Sequence, residues 1–94
     1  MIDFWAEWCT ICKEIDRYTF HDKSVADTLN ERFVSIKIDL TRDDTEEAQA
    51  TIQRYKIHGL PLIVFLDSSG IEQEDLRINE FIKPEDFLEL LNNI

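Results

Sequence analysis

The sequence predicts an α/β domain in which helices cover both faces of a mixed central sheet. Three observations lead there. Phe33 to Leu40 alternates strictly, with Val34, Ile36, Ile38 and Leu40 on one side and Ser35, Lys37 and Asp39 on the other, the period of a half-buried strand. Pro61 to Leu66 is a continuous apolar run of strand length, the pattern of a strand covered on both faces. The strands are separated by segments with helical apolar spacing, and a strand-helix-strand start implies a right-handed parallel crossover.

Ninety-four residues are enough for one domain with a single core. With 44% hydrophobic and 32% charged residues the composition is that of a folded chain. Twenty acids against ten bases give a formal charge of −10. Such a surface repels phosphate backbones and anionic lipid, so nucleic acid and acidic membranes are excluded as natural partners, and the acids otherwise serve solubility. No apolar run approaches the length of a membrane span, and no basic-then-apolar leader precedes the first strand, so a soluble chain is expected. Met1 stands directly against that strand, as it would in a piece cut from a longer protein.

Ile2 to Trp5 alternates and forms the first strand. Thr10 to about Tyr18 is predicted helical, with Ile11 and Ile15 on one face. Asp22 or Ser24 caps a second helix through about Arg32, its inner side made by Val25, Ala26 and Leu29. Phe33 to Leu40 follows as a strand whose central Lys37 suits a sheet edge. Asp43 to Glu47 loads acids into the first turn of a third helix with Ala48, Ile52 and Tyr55 inward, ended by His58-Gly59. After the Pro61 strand, Asp67 to Gly70 makes a turn with Gly70 free to take positive φ. About Glu72 to Ile78 is then a weaker outer strand joined as a hairpin. Pro84 opens the last helix, with Phe87, Leu88, Leu91 and Ile94 as its buried stripe.

The chemistry gathers in Ile2 to Lys13, which holds both cysteines and both tryptophans. A Cys-x-x-Cys at a helix start brings two sulfurs within bridging distance across one turn, and the helix end favours the thiolate of the first. Cys9 is therefore the expected nucleophile, and Cys12, one turn deeper and less exposed, the resolving thiol. Two cysteines fall short of a four-ligand zinc site, and His21 and His58 lack paired ligand spacing, so neither a metal nor any cofactor beyond the Cys9–Cys12 disulfide is expected. Asp3, in an otherwise apolar strand six residues before Cys9, is placed to lie beneath the active helix with a raised pKa and to accept the Cys12 proton. The competing reading is a solvated acid at the start of the strand. Asp16 is either a second tuner of these proton transfers or a surface acid. Negative charge near the sulfurs, with no cation at Thr10 or Ile11, favours a reductant over an oxidant. Trp8 serves as an apolar contact platform or as a cap on the core. A cis bond at Leu60-Pro61 would present the Leu60 backbone to an extended substrate, although the residues alone leave the isomer open.

Asp3-Phe4-Trp5-Ala6-Glu7-Trp8-Cys9, then Cys12-Lys13 and Gly59-Leu60-Pro61, resembles the thioredoxin-fold oxidoreductases over the whole chain. Cys12 to Phe20, with Asp22 and Val25, is similar more narrowly to the C-terminal periplasmic domain of the thiol:disulfide interchange protein DsbD. The resemblance implies a three-layer α/β/α sandwich over residues 1–94, lacking the fold's first strand and leaving Phe33 to Leu40 at a bare edge. It implies Cys9 and Cys12 as the redox pair, Asp3 as the buried acid, Pro61 as the cis-proline, and Asp16 where such domains carry a second acid, typically Glu. It also implies a relay: a membrane-embedded electron donor, a periplasmic acceptor domain, and a periplasmic location. Glu80 departs from the pattern by standing where the fold usually has glycine near the active site. Two other readings remain beside the relay, a stand-alone thioredoxin-like reductase and a non-redox binding module on the same fold.

Overall fold

A computed structural model describes all 94 residues. Its centre is a three-stranded sheet in the order β2-β1-β3. β1 (Ile2–Trp5) runs parallel to β2 (Ile36–Asp39) and antiparallel to β3 (Leu62–Val64). Registers Asp3↔Lys37 and Asp3↔Ile63 place Asp3 between both neighbours. Helices fill the intervals: α1 (Thr10–Glu14), running into a π-helical segment Ile15–Phe20, α2 (Lys23–Arg32), α3 (Glu46–Tyr55) and α4 (Pro84–Asn92).

Alternation along the strands sends side chains to two separate cores. On one face Ile63 and Phe65 pack with Ile15, Val25, Leu29, Ile78, Phe87 and Leu91, which joins the π segment, α2 and α4 into one layer. On the other, Ile2, Phe4, Leu62 and Val64 pack with Leu40 and with Ala48 of α3. This is the three-layer sandwich with a mixed sheet that the sequence predicts. Caps set the helix starts: Asp22 accepts from the Val25 N–H (3.2 Å) and Thr45 from the Ala48 N–H (3.1 Å), while Pro84 takes the first turn of α4.

Several elements differ from expectation. The single helix over Thr10 to Tyr18 is an α-turn followed by the π segment, and Ile11 is exposed because only Cys12 of that first turn faces inward. The second strand is confined to Ile36–Asp39. As the edge strand it has β1 on one side only, so Val34 is 79% exposed and Ile36 lies open, while Leu40 is buried. Asp43 and Asp44 precede α3 instead of entering it, and the helix stops at Lys56, ahead of His58-Gly59. The outer strand over Glu72 to Ile78 is a short 3-10 turn, Glu74–Leu76, tied to the sheet by isolated bridges Leu66↔Glu72 and Ile63↔Ile78. Leu76 and Ile78 pack on the core, but the acids around them and the Arg77–Glu72 ion pair (2.6 Å) favour a turn over a continuous ladder. Gly70 closes the preceding turn at φ 81°. Ile94 lies beyond the end of α4 and is exposed.

Phe87 has no exposed surface and packs in tilted contact with the rings of Phe20 and Phe65, centroids 5.7 and 6.3 Å away. Phe87→Ala is expected to cost about 3–5 kcal/mol in chemical denaturation, whereas Val34→Ala at the open edge should stay within about 0.5 kcal/mol. Equal costs at the two positions would contradict this core.

Candidate active site

The chain leaves β1 through a tight turn, with the Cys9 N–H donating to the Ala6 carbonyl at 3.1 Å. Cys9 is the N-cap of α1 in extended backbone conformation, and its Sγ accepts the Cys12 N–H at 3.1 Å. The two cysteines are joined as a disulfide with their Cα atoms 5.3 Å apart. Once the bridge is reduced, that N–H and the positive helix end favour negative charge on Cys9. The expected difference in exposure between the thiols is absent, since Cys9 is 5% and Cys12 7% exposed. Both are enclosed with Ala6 in a small apolar cluster against Trp5 and Leu60. What distinguishes them is position on the helix: only Cys9 sits outside the first turn and accepts its N–H.

Thr41 fastens the loop in front of the cysteines. Its hydroxyl accepts the Glu7 N–H (2.8 Å), its carbonyl accepts Trp8 Nε1–H (3.3 Å), and its own N–H donates to Asp39 Oδ1 (2.9 Å). Sequence reasoning passed over Thr41, because only the parallel β1–β2 pairing brings it beside Glu7. Trp8 is 59% exposed and walls a hollow of about 320 Å³ with Leu40, Ile57, His58 and Leu60. Leu60-Pro61 is cis, with Pro61 buried and Leu60 against the cysteine cluster. No backbone N–H or carbonyl from His58 to Pro61 is hydrogen-bonded within the chain.

Asp3 is buried on the sheet face that lies against the π segment, α2 and α4. Its carboxyl opens onto a cavity of about 200 Å³ that Asp16, Phe20, Leu29 and Lys37 also line. Burial raises its pKa from 3.8 to about 6; the cation of Lys37 pulls it down in part, and Asp16 pushes it up. Lys37 Nζ lies 3.2 Å from Asp16 Oδ1 and 5.0 Å from the Trp5 ring centroid. Asp16 is thus a partly exposed acid, paired to Lys37, at the mouth of the Asp3 cavity. Lys37 stands on the edge strand as its pattern predicts, but its place beside the buried acid comes only from the register with Asp3. Glu80 is exposed in the loop before α4. His, Cys, Asp and Glu side chains form no group of three or more able to hold a metal ion, and no helix is long and apolar enough to cross a membrane.

This constellation on this fold is that of the thioredoxin-like proteins. The thioredoxin-like domain model matches residues 1–94, and the chain belongs to that family. Within it the chain is similar to the thiol:disulfide interchange protein DsbD. DsbD of Vibrio vulnificus is 38% identical over 94 residues, covering 100% of this chain and 16% of that protein, and DsbD of Haemophilus ducreyi is 37% identical with the same coverage. The chain therefore spans less than a fifth of the length of the curated relatives it matches. The oxidised C-terminal domain of Neisseria meningitidis DsbD superposes with a TM-score of 0.83 at 30% identity, over 98% of this chain and 76% of that one. A thioredoxin from Thermus thermophilus gives a TM-score of 0.78 at 28% identity, over 98% and 69%. Fold, bridged cysteines and relatives together make this a thiol:disulfide exchange domain.

The raised pKa of Asp3 has a thermodynamic consequence. Between about pH 4 and pH 6 the folded chain holds a proton that the unfolded chain has released, so this group's contribution to stability declines as pH rises through that window. Asp3→Asn should therefore stabilise the oxidised chain by about 2–3 kcal/mol at pH 7.5 and by little near pH 3.5. Denaturant titrations at the two pH values measure this, and an equal effect at both would remove buried charge as its source.

Proposed function

We propose that the chain is the electron-passing station of a DsbD-like relay, one domain of a longer protein, reducing partner disulfides through Cys9 and Cys12. The observation that carries this is the bridged pair at the start of α1, with a buried acid on the sheet beneath the helix layer and an unpaired backbone segment at Leu60-Pro61 packed beside it. The Cys9 thiolate attacks one sulfur of the partner disulfide, whose other sulfur leaves as a thiolate. Asp3 takes the proton of Cys12, and the Cys12 sulfur attacks Cys9 Sγ. The Cys9–Cys12 disulfide forms, the second partner sulfur is released, and two electrons have passed to the partner.

Each remaining side chain has a part in this reading. Asp16, through its ion pair with Lys37, governs how much of the lysine's charge reaches Asp3. Trp8 and Leu60 offer apolar contact, and the Leu60-Pro61 backbone pairs with an extended partner segment. The relay reading further assigns a membrane-embedded domain as electron donor, a periplasmic domain as acceptor, and the periplasmic side of the membrane as the place of work. A stand-alone thioredoxin-like reductase is the second reading, supported by the likeness to the Thermus thermophilus thioredoxin.

A Cys12→Ser variant offered a disulfide-bonded partner should accumulate a mixed disulfide at Cys9, and titration of the native chain against a thiol buffer should give a two-electron couple. Absence of both refutes the exchange mechanism. Asp3→Asn should slow release of the mixed disulfide by about 10²-fold or more and flatten its pH dependence near pH 6. An unchanged pH profile removes Asp3 from proton transfer.

A further inference from the structure

The C-terminal end of α3 carries a feature that the exchange chemistry leaves unexplained. Lys56 is the one non-glycine residue of the chain with positive φ, at φ 52° and ψ 55°. It closes the helix in the left-handed conformation, with its N–H on the Gln53 and Ile52 carbonyls. Glycine is the residue that this position favours, because a Cβ there crowds the following carbonyl. Lys56 thus occupies a position where a Cβ costs stability.

Its surroundings indicate a use. Lys56 lines a cavity of about 270 Å³ together with His58, Leu60, Pro61, Arg77 and Asn79, directly alongside the segment that packs on the cysteines. Lys56 and His58 are both exposed. Arg77 is already neutralised: its Nε and Nη2 hold the two Glu72 oxygens at 2.6 and 2.8 Å. Lys56 enters no ion pair, side-chain hydrogen bond or cation–π contact, unlike Lys37, which holds Asp16, or Arg54, which lies over Tyr55. A need for a cation at the negative end of α3 does not explain it, since Arg54 already occupies the last turn. On a chain of net charge −10, an unmatched cation beside the redox loop is a local exception that can attract an acidic group of a partner.

We infer that Lys56, with His58 at its side, forms a subsite for a carboxylate carried by the partner polypeptide close to its disulfide. The partner's extended segment lies along Leu60-Pro61, its cysteine reaches Cys9, and an Asp or Glu side chain drops into the hollow behind the proline. This rests on the exchange reading and adds the substrate's charge pattern to it: neutral at the cysteine, acidic a few residues away.

Two disulfide-bonded peptides, identical except for Glu or Gln near the reactive cysteine, test the subsite with the reduced 94-residue chain. The native chain should favour the Glu peptide in kcat/KM by about two- to fivefold at low salt, and the preference should fade by about 0.5 M salt. In Lys56→Gly and Lys56→Gln the ratio should fall to near one. Lys56→Gly should at the same time raise the melting temperature by about 2–5 °C, because it relieves the left-handed residue. A preference that survives in both variants, or that is missing from the native chain while the Gln peptide is still reduced, overturns the subsite alone. Failure to reduce either peptide refutes the exchange reading and the subsite with it.

Discussion

Strand β1 is hydrogen-bonded on both of its edges, and the rest of the molecule depends on that constraint. Pairing with β2 on one side and β3 on the other fixes its twist and register, so alternate residues are sent to opposite faces without freedom to slip. Phe4 is thereby committed to the α3 core, and Asp3 to the face beneath the π segment, α2 and α4. The strand's end then delivers Ala6 and Cys9 to the start of α1. Cys9, the buried Asp3 and the proline loop are held by one short element and its two partners. A shift of one residue in β1 would put an aromatic ring where Asp3 now lies and a carboxylate into an apolar core.

The electrostatics follow from the same strand pairing. Parallel register sets Lys37 beside Asp3, yet Lys37 Nζ is drawn to Asp16 and to the face of Trp5. The lysine thus moderates the buried acid without neutralising it, and desolvation remains the larger effect. A group poised near pH 6 can both take and return a proton under ordinary conditions, which a fully paired carboxylate or a fully dry one could not do.

Much of this was legible in the sequence because it is local. Cys-x-x-Cys after an apolar strand, Asp3 within that strand, the Asp22 and Pro84 helix starts, and the apolar run at Pro61 each carry their signal within a few residues. What was not legible depends on partners distant along the chain. Strict alternation promised a half-buried strand over the whole of Phe33 to Leu40, and its central Lys37 pointed to the sheet edge that it occupies, but the ladder covers only Ile36–Asp39, and periodicity does not show where pairing with a neighbour stops. The segment at Glu72 to Ile78 follows a good turn, and its polar side chains and internal Arg77–Glu72 pair outweigh the hairpin signal. Thr41 and Lys37 gain their importance only through pairing with β1. Lys56 was invisible for a different reason: its significance lies in a backbone angle, and nothing in the residue type announces it.

The active bridge encloses a very small ring, since Cys9 and Cys12 are three positions apart. Loop-closure entropy grows with ring size: a closed ring this short restrains the unfolded chain by only about 2 kcal/mol, against about 4.7 kcal/mol for a loop of a hundred residues. The two large apolar cores lie elsewhere and do not involve the sulfurs. Opening the bridge thus removes a modest chain restraint and leaves both large cores in place. A secreted scaffold spends its disulfides on chain restraint and cannot give them up, whereas this domain can shed and regain its only crosslink at every turnover while remaining the same folded object.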